Sequence, residues 1–597
     1  MTDRAALAAL CREHGIYDGY WAIDGNYYET PTETLALFAD ALKVRDAKPT
    51  HLATIEDALR EPDPRPAFVP ESLHEGRCWG LTCQLGSLRS ARNAGMGDFE
   101  DLRTLVRTAA AVGADFVGLN PLHALFGADP GRASPFSPSN RLFLNTMYLA
   151  VDRVEGYEAL SPEARRPPAR LTDSEFVDLA AVRDWKFAVL ALLHERYPWT
   201  AESRREFDAF VRAGGGALSG HAEFAALSLR MVAERHGAGW TQWPERYRDR
   251  DGLDVRAFTQ AEAEAVDFQK WMQWQCDRQL GAAAREAREA GMRVGLYLDL
   301  AVGAAPDGSA TWGDPSMTVP GLHVGAPPDP FSAQGQDWGL APLNPVALAE
   351  RDAEPIADMM STVMRHAGAV RIDHAMGLAR LWLIPAGRPA LEGAYVRYPL
   401  DRTLSALART SQTRRCLVIG EDLGVVPDGF RPLMEQRQLH AYKVFLFERE
   451  GKAFRDPSTW SRTALACVGT HDTPSFPGWW AGRDIEVRRS VGWLDGDGVA
   501  REEWERGEER EEVRRIVGDA DAVETSVRVH AHVARSPCRL MACQIDDALG
   551  TLDQPNLPGT IDEHPNWRRR MAVPVDELER HEGFARHCEA LRRERPR

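Results

Sequence analysis

Three acidic residues each follow a short apolar segment that has the composition of a β-strand: Asp373, Glu421 and Asp472. In a barrel of parallel strands the carboxyl ends of all strands meet at one mouth, where reactive groups are found. A single Asp at a strand end more often caps a loop. Three carboxylates in the same position along their strands are harder to explain as caps, so we expect them to converge on one site.

The residues around Asp373 indicate the kind of chemistry. Arg371 lies two positions earlier, and because side chains alternate along a strand, both side chains point to the same side. A guanidinium favours the ionised form of a nearby carboxyl, as a nucleophile requires. A second carboxyl near that negative charge has a raised pKa, which suits Glu421 to proton transfer. Retaining glycosidases use two carboxyl groups roughly 5 Å apart, one as nucleophile and one as acid/base. Asp472 is suited to stabilising the oxocarbenium-like transition state.

These residues require a scaffold of strands, and eight apolar segments alternate with helical stretches in the manner of β/α units. The count predicts an α/β fold, a closed (β/α)8 TIM barrel. The eight segments are residues 80–85, 116–119, 294–300, 369–372, 416–419, 442–447, 465–468 and 540–543.

Three additions to the barrel are expected. Residues 1–71 contain two helix-like stretches before a proline-rich linker and are interpreted as a small N-terminal domain. Residues 72–597 form the barrel, in which a helical insertion at about 134–279 interrupts the strand rhythm beside the mouth. A loop at about 303–345, rich in Gly, Pro, Asp and Trp, is too long to be a passive connection and is expected to bind something.

Composition excludes several classes of partner. The net charge of −16 argues against nucleic acid and against an anionic membrane, since both require clustered positive charge. Nine scattered cysteines, none at CxxC spacing, fit reduced thiols, and the first residues lack the apolar core of a secretory signal. We expect a cytoplasmic location. No metal-ligand pattern or phosphate-binding glycine motif is present in the sequence, so neither a metal nor another cofactor is expected; calcium remains a weak alternative.

Several ordered motifs resemble one known family. The segments around the carboxylates are Arg371-Ile-Asp-His-Ala-Met-Gly, Ile419-Gly-Glu-Asp-Leu-Gly and Gly469-Thr-His-Asp-Thr-Pro. A closing segment, Pro558-Gly-Thr-Ile-Asp-Glu-His-Pro-Asn-Trp, follows them. Together they resemble the amylomaltases, the 4-alpha-glucanotransferases of glycoside hydrolase family 77. The resemblance extends over almost the whole chain after Trp79 and implies a barrel without a separate C-terminal β domain.

The resemblance also implies roles for individual residues. Asp373 corresponds to the nucleophile, Glu421 to the acid/base and Asp472 to the transition-state stabiliser. Three further residues are expected to hold the sugar or to organise the site: Arg371, His471 and Asp299.

Aromatic residues in family-like loops are expected to stack on sugar rings. We select Phe136, Trp338 and Tyr395 for this role. Two of the loops that carry these residues depart from the family pattern. Phe136 stands where relatives usually carry tyrosine, so ring stacking is kept but a hydroxyl is lost. Trp338-Gly-Leu-Ala-Pro replaces the commoner Trp-Gly-Asn-Pro, so Leu340 does not supply the amide contact.

The expected reaction is cleavage of an α-1,4 bond in a malto-oligosaccharide or longer α-1,4-glucan, followed by attack of a sugar 4-hydroxyl on the glycosyl-enzyme. Glucose or a maltodextrin would be the acceptor. One alternative is an α-1,4-glucan hydrolase, which uses the same carboxylates but completes the second step with water. A catalytically silent carbohydrate-binding barrel is a second alternative, against which the three intact carboxylates argue. Chain-length preference and oligomeric state do not follow from the sequence.

Overall fold

The computed structural model describes residues 4–22, 25–45, 48–328 and 334–597. At its centre lie eight strands, one for each of the eight predicted segments. They are β1 (Cys78–Cys83), β2 (Phe116–Leu119), β3 (Gly295–Leu300), β4 (Ala369–Ile372), β5 (Leu417–Gly420), β6 (Ala441–Val444), β7 (Ala464–Cys467) and β8 (Leu540–Gln544).

These strands form one parallel sheet in the order β5-β4-β3-β2-β1-β8-β7-β6. The two edge strands approach each other through a parallel bridge between Ile419 and His440. There the His440 N–H donates to the Val418 carbonyl over 2.9 Å, and the Gly420 N–H donates to the His440 carbonyl over 2.8 Å. The sheet is therefore a barrel closed by a short seam, which confirms the predicted (β/α)8 fold.

Alternate residues of the strands fill the barrel interior. Phe116, Tyr297, Ala369, Leu465 and Ala542 belong to one buried cluster inside the barrel. Because side chains alternate, residues two and four positions further along a strand point to the same interior, nearer the mouth. The interior of the barrel therefore leads to the residues at the carboxyl ends of its strands.

Helices cover the outside of the barrel in most β/α units. Asp98 begins the first of them with a capping box, in which its side chain accepts from the N–H of Asp101 and the Asp101 side chain accepts in return. The connection from β6 to β7 differs, since it carries a short hairpin, Arg449–Glu450 with Ala453–Phe454. The outer helices are Phe99–Ala111, Ala263–Glu289, Glu354–Val363, Leu400–Arg414, Phe430–Gln436, Ala522–Ala534 and Glu582–Glu594.

The predicted insertion is helical. Its largest helix, Ala201–Ala233, is kinked at Gly215, whose φ of 51° only glycine adopts readily. Helix Ala263–Glu289 passes through the predicted boundary at about residue 279 and packs against Phe99–Ala111 as a barrel helix. The other helices between β2 and β3 are Pro162–Arg165, Ala169–Asp173, Leu179–Glu195 and Leu253–Ala261.

A second sheet lies beside the mouth. It is antiparallel, in the order Ala394–Arg397, Arg380–Pro385, Leu322–Ala326 and Gln336–Leu340. Two segments of the predicted loop 303–345, Leu322–Ala326 and Gln336–Leu340, are therefore paired strands and not irregular loop. Residues 329–333 of that prediction lie outside the described residues.

The N-terminal segment attaches to this second sheet. Its helices are Arg4–Glu13, Thr32–Ala41 and Ile55–Leu59, and a hairpin pairs Gly19–Trp21 with Tyr27–Glu29. A bridge between Ile16 and Val396 joins the segment to the sheet edge. The separate N-terminal domain remains a prediction.

The C-terminal part of the chain is helical and irregular. Among the described residues no strand follows β8; helices Ile545–Leu549 and Glu582–Glu594 complete the chain. Within the same residues no helix has both the length and the apolar character that a membrane crossing needs.

Candidate active site

Arg371 is the centre of the charged cluster at the mouth. It is the register partner of Asp299 on the neighbouring strand, so both side chains point into the barrel. One guanidinium nitrogen donates to both oxygens of Asp299 over 2.9 Å, and the other lies 2.8 Å from Asp373 Oδ1. Burial acts against the charge of Arg371, but the two carboxylates outweigh it and hold its pKa well above the ordinary range. The guanidinium thereby fixes Asp373 in place and balances its charge.

Asp299 is more deeply enclosed than Asp373. Burial raises the pKa of Asp299 to about 6, although Arg371 acts in the opposite direction. Asp299 contacts the reacting region through Arg371, so its geometry is that of a residue that organises the site.

The backbone beyond β4 and β5 places Asp373 and Glu421 side by side. The Asp373 N–H donates to the Leu300 carbonyl, and the Glu421 N–H donates to the Ile372 carbonyl, both over 3.0 Å. Strand pairing thus continues for one residue past each strand end. His374 then adopts a positive φ of 48°, which is uncommon for a residue other than glycine.

That turn also holds the side chain of Glu421. The His374 N–H donates to Glu421 Oε2 over 3.0 Å, and the Leu423 N–H donates to Oε1 over 2.6 Å. Burial raises the pKa of Glu421 to about 7; Asp373 adds to this rise, while Arg371 and the two N–H donors oppose it. Near neutral pH Glu421 is therefore able both to donate and to accept a proton.

Asp472 has the opposite environment. Its Oδ2 lies 3.1 Å from His471 Nε2, and the Asn556 side-chain amide donates to Oδ1 over 2.6 Å. Burial acts to raise the pKa of Asp472, but His471 and the hydrogen bonds outweigh it and lower the pKa to about 2. Because 46% of its side chain is exposed, water screens the ion pair. Asp472 stays ionised at the open side of the cleft.

Two of the predicted aromatic residues lie next to these groups. Phe136 stacks on His471 with ring centroids 4.7 Å apart, and Trp567 completes the group at 5.6 Å from Phe136. Trp338 lies edge-on to the His374 ring at 5.2 Å. The structure therefore brings Phe136 next to His471, the neighbour of Asp472, and Trp338 next to His374, the neighbour of Asp373.

Tyr395 is not brought into the cleft. Its side chain is 4% exposed and packs in an aromatic cluster with Trp382, Tyr17 and Tyr20, while Arg380 covers its ring at 4.0 Å. A ring enclosed in this way has no free face for a sugar. We therefore remove Tyr395 from the sugar-stacking residues, which corrects the sequence-based assignment.

A cavity of about 560 Å³ opens at the mouth next to this cluster. Asp299, Arg371 and His471 line one side of it, and the polar side chains of Asn120 and Gln544 lie at the ends of other strands. Polar groups around a concave space of this size suit a ligand with many hydroxyl groups. In the part of the chain that the structure describes, no group of three His, Cys, Asp or Glu residues is arranged to hold a metal ion.

Sequence reasoning missed two kinds of contribution. The backbone N–H groups of His374 and Leu423 can donate to Glu421 whatever side chains these residues carry, so residue type does not predict the two contacts. Asn556 lies in a motif, Asn556-Leu-Pro-Gly-Thr, that is similar to a family segment, yet its contact with Asp472 joins residues 84 positions apart. Only the fold brings these groups together.

A parallel barrel with ionised and protonatable carboxyl groups gathered at its mouth defines a class, the barrel enzymes that act on glycosidic bonds. Residues 83–575 match the glycoside hydrolase 77 family, described as 4-alpha-glucanotransferase, and the chain belongs to this family.

Individual relatives agree with this family. The chain is 33% identical over 544 residues to a 4-alpha-glucanotransferase of Haemophilus influenzae, a match that covers 86% of this chain and 78% of the relative. It is 37% identical over 532 residues to a 4-alpha-glucanotransferase of Mycobacterium tuberculosis (strain ATCC 25618 / H37Rv), covering 85% and 73%. The crystal structure of amylomaltase from Corynebacterium glutamicum superposes with a TM-score of 0.84 at 25% identity, covering 99% of this chain and all of that one.

Proposed function

We propose that this chain is a retaining 4-alpha-glucanotransferase that moves segments of α-1,4-glucan from one chain to another. The observation that carries the proposal is Glu421, a buried carboxyl group with a pKa of about 7 next to the Arg371–Asp373 ion pair. This arrangement supports double-displacement chemistry, because one group can donate a proton while the other attacks.

In the first step, Asp373 attacks the anomeric carbon of the donor, and the bond from that carbon to the glycosidic oxygen breaks. Glu421 gives its proton to that oxygen, which leaves as the 4-hydroxyl of the released fragment. In the second step, the now ionised Glu421 takes a proton from the 4-hydroxyl of an acceptor. The acceptor oxygen attacks the anomeric carbon and displaces Asp373, and two inversions restore the original configuration.

The groups near Asp472 support this chemistry from the open side. The ionised Asp472 stabilises positive charge on the sugar ring in the transition state, and His471 and Asn556 hold it in position. Arg371 holds Asp373, and Phe136 and Trp338 offer ring faces to the sugars on either side.

The substrates follow from the family. We propose malto-oligosaccharides and α-1,4-glucans as donors and glucose or a maltodextrin as acceptor, with no cofactor in the reaction. We also propose a cytoplasmic location, which is supported by nine cysteines that are all described, buried and unpaired. Residues 1–71 are proposed as a small domain outside the catalytic barrel.

Incubation with maltotriose tests the proposed reaction. Transfer converts maltotriose to glucose and a ladder of longer oligosaccharides while the number of reducing ends stays nearly constant. A steady rise in reducing ends without longer products would show hydrolysis and reject the proposal. Chromatography of the products together with a reducing-end assay separates the two results.

A further inference from the structure

One loop forms a wall of the cleft and extends beyond it. We call residues 550–561 the rim loop. Its first part lines the cavity through Thr551, Asp553 and Pro555. Its middle reaches Asp472 through Asn556. The rest of the loop continues outward from the reacting groups.

The outer part of the rim loop is held rigidly. The Leu557 N–H donates to Asn566 Oδ1 over 2.8 Å, and the Asn566 side-chain amide donates back to the Thr560 carbonyl and hydroxyl over 3.1 and 2.8 Å. One buried asparagine thus fixes both arms of the turn. Despite this order the tip is open, since Ile561 is 80% exposed.

Trp493 lies against the same part of the loop. A β-carbon added to Gly559 would stand 3.4 Å from Cη2 of the indole. The backbone of Trp493 is fixed by the end of helix Arg483–Ser490, where Gly492 has a φ of 80° and the Trp493 N–H donates to the Arg488 carbonyl over 2.9 Å. This is a helix termination of the Schellman type.

The indole is therefore held in place while much of it faces solvent. Trp493 is 48% exposed. Exposing a large apolar ring to water is unfavourable in free energy, and a rigid support prevents the ring from folding back onto the protein. Rings of this kind take part in recognition when a ligand brings apolar C–H faces to them, as the pyranose units of a glucan do.

We propose that Trp493 and the outer rim loop form a platform for a glucan chain that extends out of the cleft, so that the enzyme favours long chains. The inference rests on the proposed function. Continuity with the cleft selects a glucan as the occupant, because the loop that supports the indole is the one whose Asn556 contacts Asp472. The proposal places a sugar on Trp493 beyond the two units joined by the reacting bond, so a short donor would not use the platform.

The test compares maltotriose with maltoheptaose as sole substrate. We expect Trp493→Ala to lower kcat/KM for maltoheptaose by about threefold to tenfold, mainly through KM, and to change the value for maltotriose by less than about twofold. Trp493→Phe keeps a ring and should recover most of the loss. The matched control is Trp504→Ala, because Trp504 is also exposed, at 59%, but lies on helix Gly496–Val517 under Lys452.

Each other outcome overturns the platform. Equal losses for both substrates would show a structural role for Trp493, and unchanged values for both would show no role. If Trp493→Ala changes the oligomeric state seen in size-exclusion chromatography, the platform is instead a contact surface for a second copy of the chain. Failure of the wild-type protein to disproportionate maltotriose would instead reject the proposed function itself.

Discussion

The two sides of the barrel mouth shift the pKa values of their carboxyl groups in opposite directions. At the ends of β4 and β5, Asp373 and Glu421 share a buried region with Arg371, and the pKa of Glu421 is raised to about 7. At the end of β7, Asp472 faces the open cleft, and its pKa is lowered to about 2. The fold thus produces one protonatable and one permanently ionised carboxyl group from the same kind of strand end.

The physical cause of the difference is the partner of each group. Glu421 is enclosed, and among the described residues its hydrogen-bond donors are two backbone N–H groups, so burial outweighs these donors and the charge of Arg371 and favours the neutral acid. Asp472 is half exposed and has a histidine and an amide within hydrogen-bonding distance, and these partners favour the anion more than partial desolvation opposes it. This contrast supports the proposed roles of Glu421 as acid/base and of Asp472 as stabiliser.

The largest loss of activity is expected when the charge on the buried side is removed. Asp373→Asn should lower activity on maltotriose by at least about 10⁴-fold, because no nucleophile remains. Glu421→Gln should lower it by about 10² to 10⁴-fold. With an activated donor such as α-maltosyl fluoride, whose leaving group needs no proton, Glu421→Gln should accumulate a glycosyl-enzyme. Mass spectrometry that locates the adduct on a residue other than Asp373 would refute the assignment.

A smaller effect of the two environments is expected in the pH profile of activity. Glu421 must be protonated in the first step. We therefore expect kcat/KM to have its full value below the pKa of Glu421 and to fall as pH rises through about 7. Asp472 should cause no loss until pH falls toward about 2. The control is Glu421→Gln with the activated donor, since its rate of glycosyl-enzyme formation should lack the alkaline fall. A fall that persists in this variant would belong to another group.

The smallest expected effect concerns the open side, where Phe136 stacks on His471. Phe136→Tyr adds a hydroxyl that can bond to substrate or to a carboxylate, typically worth about 0.5 to 1.5 kcal/mol. If the neighbouring groups have not adapted to phenylalanine, kcat/KM should rise by about threefold to tenfold. Phe136→Ala should lower kcat/KM, and by a larger factor than Phe136→Tyr raises it, because it removes the ring that supports His471 and the sugar. An unchanged value for Phe136→Ala would place Phe136 outside the donor site.

The barrel and its strand ends could be predicted from the sequence because both depend on local patterns. Each of the eight apolar segments contains the larger part of a strand, and Asp373, Glu421 and Asp472 all lie at the mouth. The common direction of Arg371 and Asp373 also follows from strand alternation, which is a property of neighbouring residues. Their catalytic roles remain proposals.

The predicted sugar-stacking residues show where prediction from local sequence patterns fails. Phe136 and Tyr395 were selected for the same reason, a flat ring in a loop with a family-like sequence. Phe136 lies beside His471, whereas Tyr395 is enclosed by Tyr17 and Tyr20 from the N-terminal segment. Residues almost 380 positions apart decide whether the ring is available, and no local pattern contains that information.

Local sequence patterns were enough to predict the strands, their order along the chain and the acidic residues at their ends, because alternation and apolar runs are short-range. They also predicted a raised pKa for Glu421 from a neighbouring negative charge, but the main cause of that rise, burial, and the lowered pKa of Asp472 depend on the tertiary structure. It enclosed Glu421, opened Asp472 to the cleft and brought Asn556 within 2.6 Å of Asp472. The pKa of a carboxyl group depends on all charges, donors and solvent within a few ångströms, and at this mouth those neighbours come from distant parts of the chain.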